Sequence, residues 1–322
     1  LEVEGDAGGH ALVAQVGEPL DRRRAPDLAG LVAAHDPVDA VEVQGVGDRA
    51  QRGLVADEPD RGRRAPQDVD AVEVVGVLDG DLGGVVSLHQ FADGSVKWAI
   101  AGRSLSKLKQ VRDTVGLSGI EIIVADAADE DALKKMCAQT TVVMSTVGPY
   151  ALYGDLLVQV CTTTGTHYCD LTGEPQWIRK MQLRHEADAI KSGARIVHCC
   201  GFDSIPSDLG VHFLQRGALE QFGHSCDRIN MRVVSMKGGA SGGTIASMIN
   251  MVKEAVSNAD LRRELKDPYS LCPQSHGFTI VQPDVQIAYD NVYGGWIAPF
   301  IMAGINTRVV HRSNALSNNS YG

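Results

Sequence analysis

The sequence predicts an α/β protein with a Rossmann-like parallel sheet and a second, truncated α/β region. It also predicts that the N-terminal 70–90 residues or so are irregular or non-native. Three observations support this predicted fold class. From residue 91 onward, strand-like apolar runs alternate with amphipathic helical runs. One of the apolar runs ends in a Gly-Arg-Ser turn at 102–104, and the composition changes abruptly near residue 90.

That change of composition separates two parts of the 322-residue chain. All 16 aromatic residues, all seven Cys and every Lys, Ile, Met, Thr and Asn lie at Phe91 or later. Residues 1–90 carry 18 acidic and 8 basic residues, whereas 91–322 carry 22 of each. Apart from Ser87, residues 1–90 use only amino acids that triplets starting with G or C can encode. Two explanations stay open, a GC-rich gene translated in the wrong frame and a natural acidic disordered extension. We therefore treat 1–69 as an irregular acidic segment of uncertain nativeness.

Composition also argues against several functional classes. No apolar run reaches about 18 residues, so no transmembrane helix is expected. No basic stretch followed by an apolar core opens the chain, so no secretory signal is expected. An odd number of Cys without metal-type spacing indicates reduced thiols inside a cell and no metal site. No basic patch points to nucleic acid.

The first α/β region, residues 70–200, is predicted to be an NAD(P)-binding domain with a degraded first strand and glycine loop. Its predicted strands are 97–101, 120–126, 141–147, 167–171 and 194–200. Its predicted helices are 105–115, 130–138, 154–165 and 175–193. Ser104 and Asp129 are expected to cap the first two helices, and Gly193 to end the last. The run 120–126 is almost continuously apolar, as a strand covered on both faces requires.

Residues 201–322 are predicted to form a partial second α/β domain. A strand is expected at 228–239, and a glycine-rich turn opens a helix at 241–258. The apolar runs 278–282 and 285–290 resemble strands. The run 295–305 is too short to span a bilayer, and it is either a buried core helix or an interfacial segment.

Arg103 is the residue that indicates the cofactor. In a Rossmann unit the residue after the second strand faces the adenosine ribose, where a carboxylate suits a 2′-hydroxyl and Arg suits a 2′-phosphate. Ser104 and Lys107 are placed to assist. The sequence thus favours NADP(H) over NAD(H), while an ordinary surface Arg at a strand end is the alternative.

The expected glycine loop is incomplete. Gly76, Gly80 and Gly83 have the spacing G-x-x-x-G-x-x-G, and Arg103 follows the last by 20 residues, close to the usual separation. Against this prediction, Glu73 lies inside the strand that precedes the loop. An unpaired carboxylate is costly in a buried central strand.

Two further strand ends carry polar residues. After 141–147, Thr146, Gly148 and Pro149 are predicted to contact a cofactor, with Tyr150 as a donor near the nicotinamide. Near the end of 167–171, Asp170 has the chemistry of a proton-transfer residue. The alternatives are that Tyr150 packs against the next helix, and that this second cluster is turn chemistry, with Thr172 or Glu174 capping the helix at Pro175.

Taken together, several stretches make the chain resemble the saccharopine dehydrogenase-like oxidoreductases, which include the trans-acting enoyl reductases. The stretches are WAIAGRSLSKL, TVGPYALYGDLLVQVC, GTHYCDLTGE, GARIVHCCGFDSIPSDLG, SGGTIASM and APFIMAGINTRVVHRSNAL. The resemblance implies that Arg103 and Ser104 form the ribose-side turn, that Asp126 lies on the adenine side, and that 146–150 lies beside the nicotinamide. Asp79 and Leu82 replace two glycines of the family's loop, and the family continues beyond Tyr321.

The resemblance also implies a function. The expected activity is NADP(H)-dependent hydride transfer to or from an enoyl or carbonyl group of a small-molecule or lipid-linked substrate, with Tyr150 or Asp170 positioning a proton. Bacterial relatives act in complex-lipid synthesis, and animal relatives are associated with lipid droplets, mitochondria or other membranes. The alternatives are a non-catalytic scaffold at a lipid droplet or membrane, and an inactive fragment.

Overall fold

The computed structural model describes residues 2–5, 11–15, 72–77, 96–114, 116, 119–235 and 242–321. The strands are β1 (Glu2–Gly5), β2 (Ala11–Gln15), β3 (Val72–Val77), β4 (Trp98–Gly102), β5 (Glu121–Val124), β6 (Thr140–Ser145), β7 (His167–Asp170), β8 (Ile196–Val197), β9 (Arg228–Met231), β10 (Ala288–Asp290) and β11 (Gly295–Ile297). The helices are α1 (Leu105–Thr114), α2 (Glu130–Cys137), α3 (Tyr150–Tyr153), α4 (Asp155–Thr164), α5 (Pro175–Ser192), α6 (Ile205–Phe222), α7 (Gly242–Ser257), α8 (Ala259–Glu264) and α9 (Ala303–Leu316).

Six parallel strands form the main sheet in the order β5-β4-β3-β6-β7-β8. This is the 3-2-1-4-5-6 order of a dinucleotide-binding fold, so the predicted Rossmann-like sheet is confirmed. The central strand is β3, in which Val75 lies opposite Ala99 of β4 and Val143 of β6. The strand therefore forms even though the sequence places a carboxylate, Glu73, within it.

Side chains alternate between the two faces of the sheet and build a separate core on each. In β4, Trp98 and Ile100 pack with Leu108 and Val111 of α1. The intervening Ala99 and Ala101 join the larger core, which α2, α4 and α5 cover. The period of two along β4 thus places helices on both faces. Each fully buried large apolar side chain stabilises the fold by about 1.5–3 kcal/mol.

Most predicted helices of this region have the expected ends. Asp129 caps α2, because its Oδ1 accepts a hydrogen bond from the backbone nitrogen of Ala132 at 3.0 Å. Gly193 ends α5 with φ of 80°, which glycine adopts without strain. The Oγ of Ser104 lies 3.5 Å from the backbone nitrogen of Lys107, at the start of α1.

Two strand predictions were wrong in detail. The run 120–126 was expected to be covered on both faces, but β5 is an edge strand and its Val124 is 52% exposed. The strand predicted at 194–200 shrinks to Ile196–Val197, because Cys199 has φ of 60° and leaves the extended conformation.

The region after residue 200 contains α6 to α9 and three short strands. The strand β9 ends at Met231, before the predicted end at 239, and 278–282 contains no regular element. The run 295–305 is not one helix, since it forms β11 and then enters α9 at Ala303. The strands β10 and β11 pair antiparallel.

The strands β1 and β2 lie within the segment 1–69, for which an irregular structure was predicted. They pair antiparallel with each other, and β2 pairs parallel with β9. The other residues of this segment lie outside the described part of the chain. The domain boundaries at 70 and 201 stay predictions.

Candidate cofactor-binding site

The parallel order of the sheet collects the predicted site residues at one edge. Because parallel strands end on the same side, the turns after β4, β5, β6 and β7 are neighbours there. These turns, or the strand ends beside them, hold Arg103, Ser104, Asp126, Thr146, Gly148, Pro149, Tyr150 and Asp170. Gly76 lies within β3, opposite Ile100 and Met144. Gly80 and Gly83 lie outside the described residues.

Arg103 is the first residue after β4, and its side chain is exposed. Within the described part of the chain, its guanidinium makes no hydrogen bond or ion pair. Lys107, one turn into α1, is also exposed. Ser104 is half-buried, and its Oγ lies 3.1 Å from that of Ser106. The end of β4 therefore presents two exposed cationic side chains, Arg103 and Lys107, which suit a bound phosphate.

Asp126 lies two residues beyond β5 and shapes the turn into α2. Its Oδ1 accepts a hydrogen bond from the backbone nitrogen of Ala128 at 2.9 Å. Its carbonyl oxygen accepts one from the backbone nitrogen of Asp129 at 3.0 Å. The carboxylate is exposed at the same sheet edge as Arg103.

The turn after β6 is fixed to the end of β3. The backbone nitrogen and the hydroxyl of Thr146 both donate to the carbonyl oxygen of Val77, at 3.0 and 3.3 Å. The Gly148–Pro149 peptide bond is cis. A methyl group on Gly148 would lie 3.5 Å from the Tyr150 ring and 3.7 Å from Ser247 Oγ, which is ordinary contact. The described protein atoms alone therefore do not require glycine at this position.

Tyr150 is buried behind that turn. Its hydroxyl donates to the carbonyl oxygen of Ser145 at 3.0 Å and accepts from the backbone nitrogen of Leu171 at 3.3 Å. Its ring lies 5.4 Å from that of Trp177, centroid to centroid. Burial, followed by the nearby charge of Asp170, raises the pKa of the phenol well above its ordinary value. At neutral pH the hydroxyl keeps its proton and donates it in the hydrogen bond to the carbonyl oxygen of Ser145.

Asp170 is fully buried at the end of β7. Its Oδ1 accepts hydrogen bonds from the backbone nitrogens of Thr172 and Cys199, each at 3.1 Å. Its Oδ2 lies 2.6 Å from Nδ1 of His198, whose ring packs edge-on against Trp177. The carboxylate thus joins β7 to the turn that follows β8, where a buried charge is compensated.

Glu174 has a different partner from the one expected. The sequence offered it as a cap for α5, but that helix receives no side-chain cap. Instead its carboxylate accepts from the backbone nitrogens of Tyr150 at 2.8 Å and Ala151 at 3.0 Å, the first residues of α3. Ser247 Oγ of α7 donates to the same carboxylate at 2.8 Å. Glu174 therefore links three separate elements, and only its polar, turn-like neighbourhood signalled this in the sequence.

The helix α7 carries an exposed apolar stripe beside this turn. Its members are between 41 and 76% exposed: Ile245, Met248, Ile249, Val252 and Val256. Their spacing places them along one helix face. Ser247, which reaches Glu174 and lies near Gly148, is on the opposite face of this helix, so the stripe faces away from the end of β6.

Two negative findings apply to the described residues alone. No helix among them is both long and apolar enough to pass through a membrane. No three His, Cys, Asp or Glu side chains among them converge as metal ligands.

Comparison with known proteins supplies the family. The family described as saccharopine dehydrogenase NADP binding domain matches residues 72–197. A Mycobacterium tuberculosis protein named for trans-acting enoyl reductase activity is 44% identical over 240 residues, which are 72% of this chain and 57% of that protein. The trans-acting enoyl reductase of Mycobacterium leprae is 37% identical over 246 residues, covering 72% of this chain and 58% of its own length. The chain thus spans somewhat more than half the length of these relatives.

Solved structures were compared as well. Apo saccharopine dehydrogenase (L-Glu forming) from Saccharomyces cerevisiae has a TM-score of 0.38 and 19% identity, with 45% of this chain and 32% of that chain covered. Triphenylmethane reductase from Citrobacter sp., complexed with NADP(H), has a TM-score of 0.31 and 19% identity. That comparison covers 46% of this chain and 55% of the reductase.

Proposed function

Because residues 72–197 match the saccharopine dehydrogenase NADP-binding domain family, we propose that the chain serves NADPH-dependent reduction of a lipid-linked enoyl or carbonyl substrate. The cofactor, NADP(H), follows from the family. The reaction and the substrate are our proposal. Its main support is the exposed guanidinium of Arg103 at the carboxyl end of β4.

The described residues fit the phosphate that distinguishes NADP(H) from NAD(H). A 2′-phosphate carries about two negative charges near neutral pH and accepts several hydrogen bonds. Arg103 offers a planar set of N–H donors, and Lys107 offers an exposed ammonium nearby. A carboxylate at position 103 would repel the same group. The loop between β3 and β4 lies outside the described residues, so the fit concerns the adenosine side.

Bound NADPH supplies a hydride, and the residues of this chain bind and orient the reactants. Arg103 and Lys107 hold the adenosine end. The turn at 146–149, fixed to β3 through Thr146 and Val77, carries Gly148, where backbone can approach a nicotinamide ring. Tyr150 and Asp170 were predicted to be catalytic, and that prediction is untested. Their burial and internal hydrogen bonds favour positioning roles, in which they hold the ends of β6, β7 and β8.

The apolar stripe of α7 supports a lipid-linked substrate. Among the described residues none of its five side chains is buried, and the helix that carries it contacts the turn at Gly148 through Ser247 on the opposite face. An acyl chain laid along this face would cover apolar surface. Relatives named as trans-acting enoyl reductases are consistent with an acyl substrate.

The same stripe favours a second candidate, a non-catalytic scaffold at a lipid surface. An exposed apolar helix face also suits a lipid droplet or a membrane interface. Location at lipid droplets, mitochondria or another membrane is a prediction that belongs with this candidate.

Titration with NADPH and NADH tests the cofactor side of the proposal. We expect tighter binding of NADPH, and we expect Arg103→Ala to weaken NADPH binding by about 10- to 100-fold, the worth of charge-assisted hydrogen bonds. Binding of NADH should change little. The matched control is Arg112→Ala in α1, because Arg112 is paired with Asp113. Equal weakening by both variants would contradict the assignment of Arg103.

Reduction assays separate the two candidates. A long-chain enoyl thioester with NADPH should be reduced faster than a short-chain one. If NADPH binds but neither thioester is reduced, and the chain sediments with neutral phospholipid vesicles, the scaffold is favoured. If neither NADPH nor vesicles bind, both candidates are wrong for this chain.

A further inference from the structure

Two thiols lie near the carboxyl ends of β7 and β8, and the proposed function gives neither of them a role. Cys169 lies on β7 opposite Val197 of β8. The positive φ of Cys199 turns the chain after β8, so that the backbone nitrogen of Cys200 donates to the carbonyl oxygen of Asp170 at 2.7 Å. Cys200 Sγ points back toward the carbonyl oxygen of Val197, at 3.5 Å. The backbone thus brings Cys200 beside Cys169.

Both thiols are accessible, unlike most other cysteines of the described chain. Cys169 and Cys200 are partly exposed, whereas Cys137, Cys161, Cys199 and Cys272 are buried. Cys200 also lines a cavity of about 470 Å³ between α5, β8 and α9, which gives a small oxidant a route to it. Hydrogen bonding from Cys200 lowers the pKa of Cys169 and raises that of Cys200, so Cys169 is the thiol that ionises first.

We propose that Cys169 and Cys200 form an oxidation-sensitive dithiol that peroxide converts to an intramolecular disulfide. The thiolate of Cys169 attacks a peroxide oxygen, the O–O bond breaks, and Cys169 becomes a sulfenic acid as water leaves. The Cys200 thiol then attacks that sulfur, a second water leaves, and an S–S bond forms. One peroxide accepts two electrons from the two thiols, and both thiol protons end in water.

The chain contains a matched internal control for this proposal. Cys137 and Cys161 lie with their sulfur atoms 3.8 Å apart, but both are buried, at 3 and 0% exposure. Proximity alone therefore predicts that both pairs oxidise. Proximity combined with access predicts that the Cys169–Cys200 pair oxidises first.

Peptide mapping of the full chain tests the proposal. The reduced protein is treated with hydrogen peroxide, its remaining thiols are blocked with iodoacetamide, and it is digested with trypsin. Cys137, Cys161 and Cys169 fall in the tryptic peptide 136–179, and Cys199 and Cys200 fall in 196–216. We expect the two peptides to become linked, with the loss of two hydrogens and release by dithiothreitol. A Cys137–Cys161 bond would instead close within 136–179.

Variants identify the atoms involved. Cys169→Ser and Cys200→Ser should each abolish the link, while Cys137→Ser and Cys199→Ser should retain it. Fragmentation of the linked peptide from unmodified protein gives the same assignment if a variant fails to fold. The proposal is overturned if the link survives Cys169→Ser, if 137–161 closes first, if no link forms, or if the urea-unfolded chain links the peptides equally fast.

Discussion

The backbone nitrogen of Tyr150 donates a hydrogen bond to Oε1 of Glu174 over 2.8 Å, joining residues that lie 24 positions apart. The second oxygen of the same carboxylate accepts from Ala151. The start of a helix has backbone N–H groups without intrahelical partners and a partial positive charge, and a carboxylate satisfies both needs. Glu174, which is almost completely buried, thus sets the position of the turn proposed to face the nicotinamide.

Removing the Glu174 carboxylate should destabilise the fold. In Glu174→Ala the buried N–H of Tyr150 and the half-buried N–H of Ala151 lose their acceptor, and the expected loss is about 2–4 kcal/mol in the free energy of unfolding. Glu174→Gln keeps one acceptor and should lose less. Urea unfolding measures both. The control is Glu220→Gln, an exposed residue paired with Arg216, which should change stability by no more than about 0.5 kcal/mol. Equal losses at the two positions would contradict the role of Glu174.

Substitution by alanine should have different effects on stability at Gly154, which precedes α4, and at Gly148, which lies in the turn after β6. A methyl group on Gly154 would lie 2.5 Å from the Trp177 ring and 2.9 Å from the carbonyl oxygen of Tyr150. We therefore expect Gly154→Ala to destabilise the protein by about 1–3 kcal/mol. Gly148→Ala meets only ordinary contacts and should leave stability nearly unchanged, yet it should weaken NADPH binding if cofactor approaches this backbone.

Urea unfolding and NADPH titration of the same two variants check the prediction. Tight NADPH binding by a fully stable Gly148→Ala protein would show that no cofactor approaches Gly148. A large stability loss in that variant would show that protein contacts alone select this glycine.

Local signals in the sequence predicted much of the fold. The apolar run 97–101 located β4, and Asp129 and Gly193 marked the ends of their helices, because each effect acts within a few residues. The Rossmann-like parallel sheet followed from the resemblance and from the alternation of strands and helices. Exposure of Val124 was missed, since a strand's position at a sheet edge depends on tertiary pairing.

The site was less predictable because its contacts are long-range. Capping of the adjacent helix by Thr172 or Glu174 was one alternative from the sequence, while the partners of the Glu174 carboxylate come from α3 and α7. The pairing of Asp170 with His198, 28 residues away, has no local signature. Arg103 was located from sequence, since its place depends only on the end of one strand.

Tyr150→Phe distinguishes a positioning role from proton transfer. The variant removes the acceptor for the Leu171 nitrogen, so we expect a loss of about 1–3 kcal/mol in stability. A positioning role predicts that the affinity for NADPH stays the same. It also predicts that the pH profile of the reductase reaction keeps its shape. A proton-transfer role predicts a fall in kcat of about 100-fold or more, with the corresponding limb of the pH profile lost. Urea unfolding and steady-state kinetics across pH decide between them.

Protonation of His311 should make the protein less stable in acid. This α9 residue packs against Tyr269, with ring centroids 4.7 Å apart, and burial followed by the charge of His276 lowers its pKa below the ordinary value of 6.5. As pH falls below about 6.5, the unfolded chain binds the proton before the folded one does. The contribution of neutral His311 to the free energy of unfolding is therefore complete above that pH. It is lost as the pH falls through the pKa of His311 in the folded protein.

His311→Phe isolates this contribution, because it keeps an aromatic ring in the same packing and cannot titrate. His167 and His185 also have pKa values lowered by burial, but they affect both proteins equally. Free energies of unfolding in urea, measured between about pH 5 and 8, should fall more steeply with acid in the unsubstituted protein than in the variant. Parallel curves would mean that His311 takes up its proton equally in the folded and unfolded states, and that its burial in α9 has no effect on acid stability.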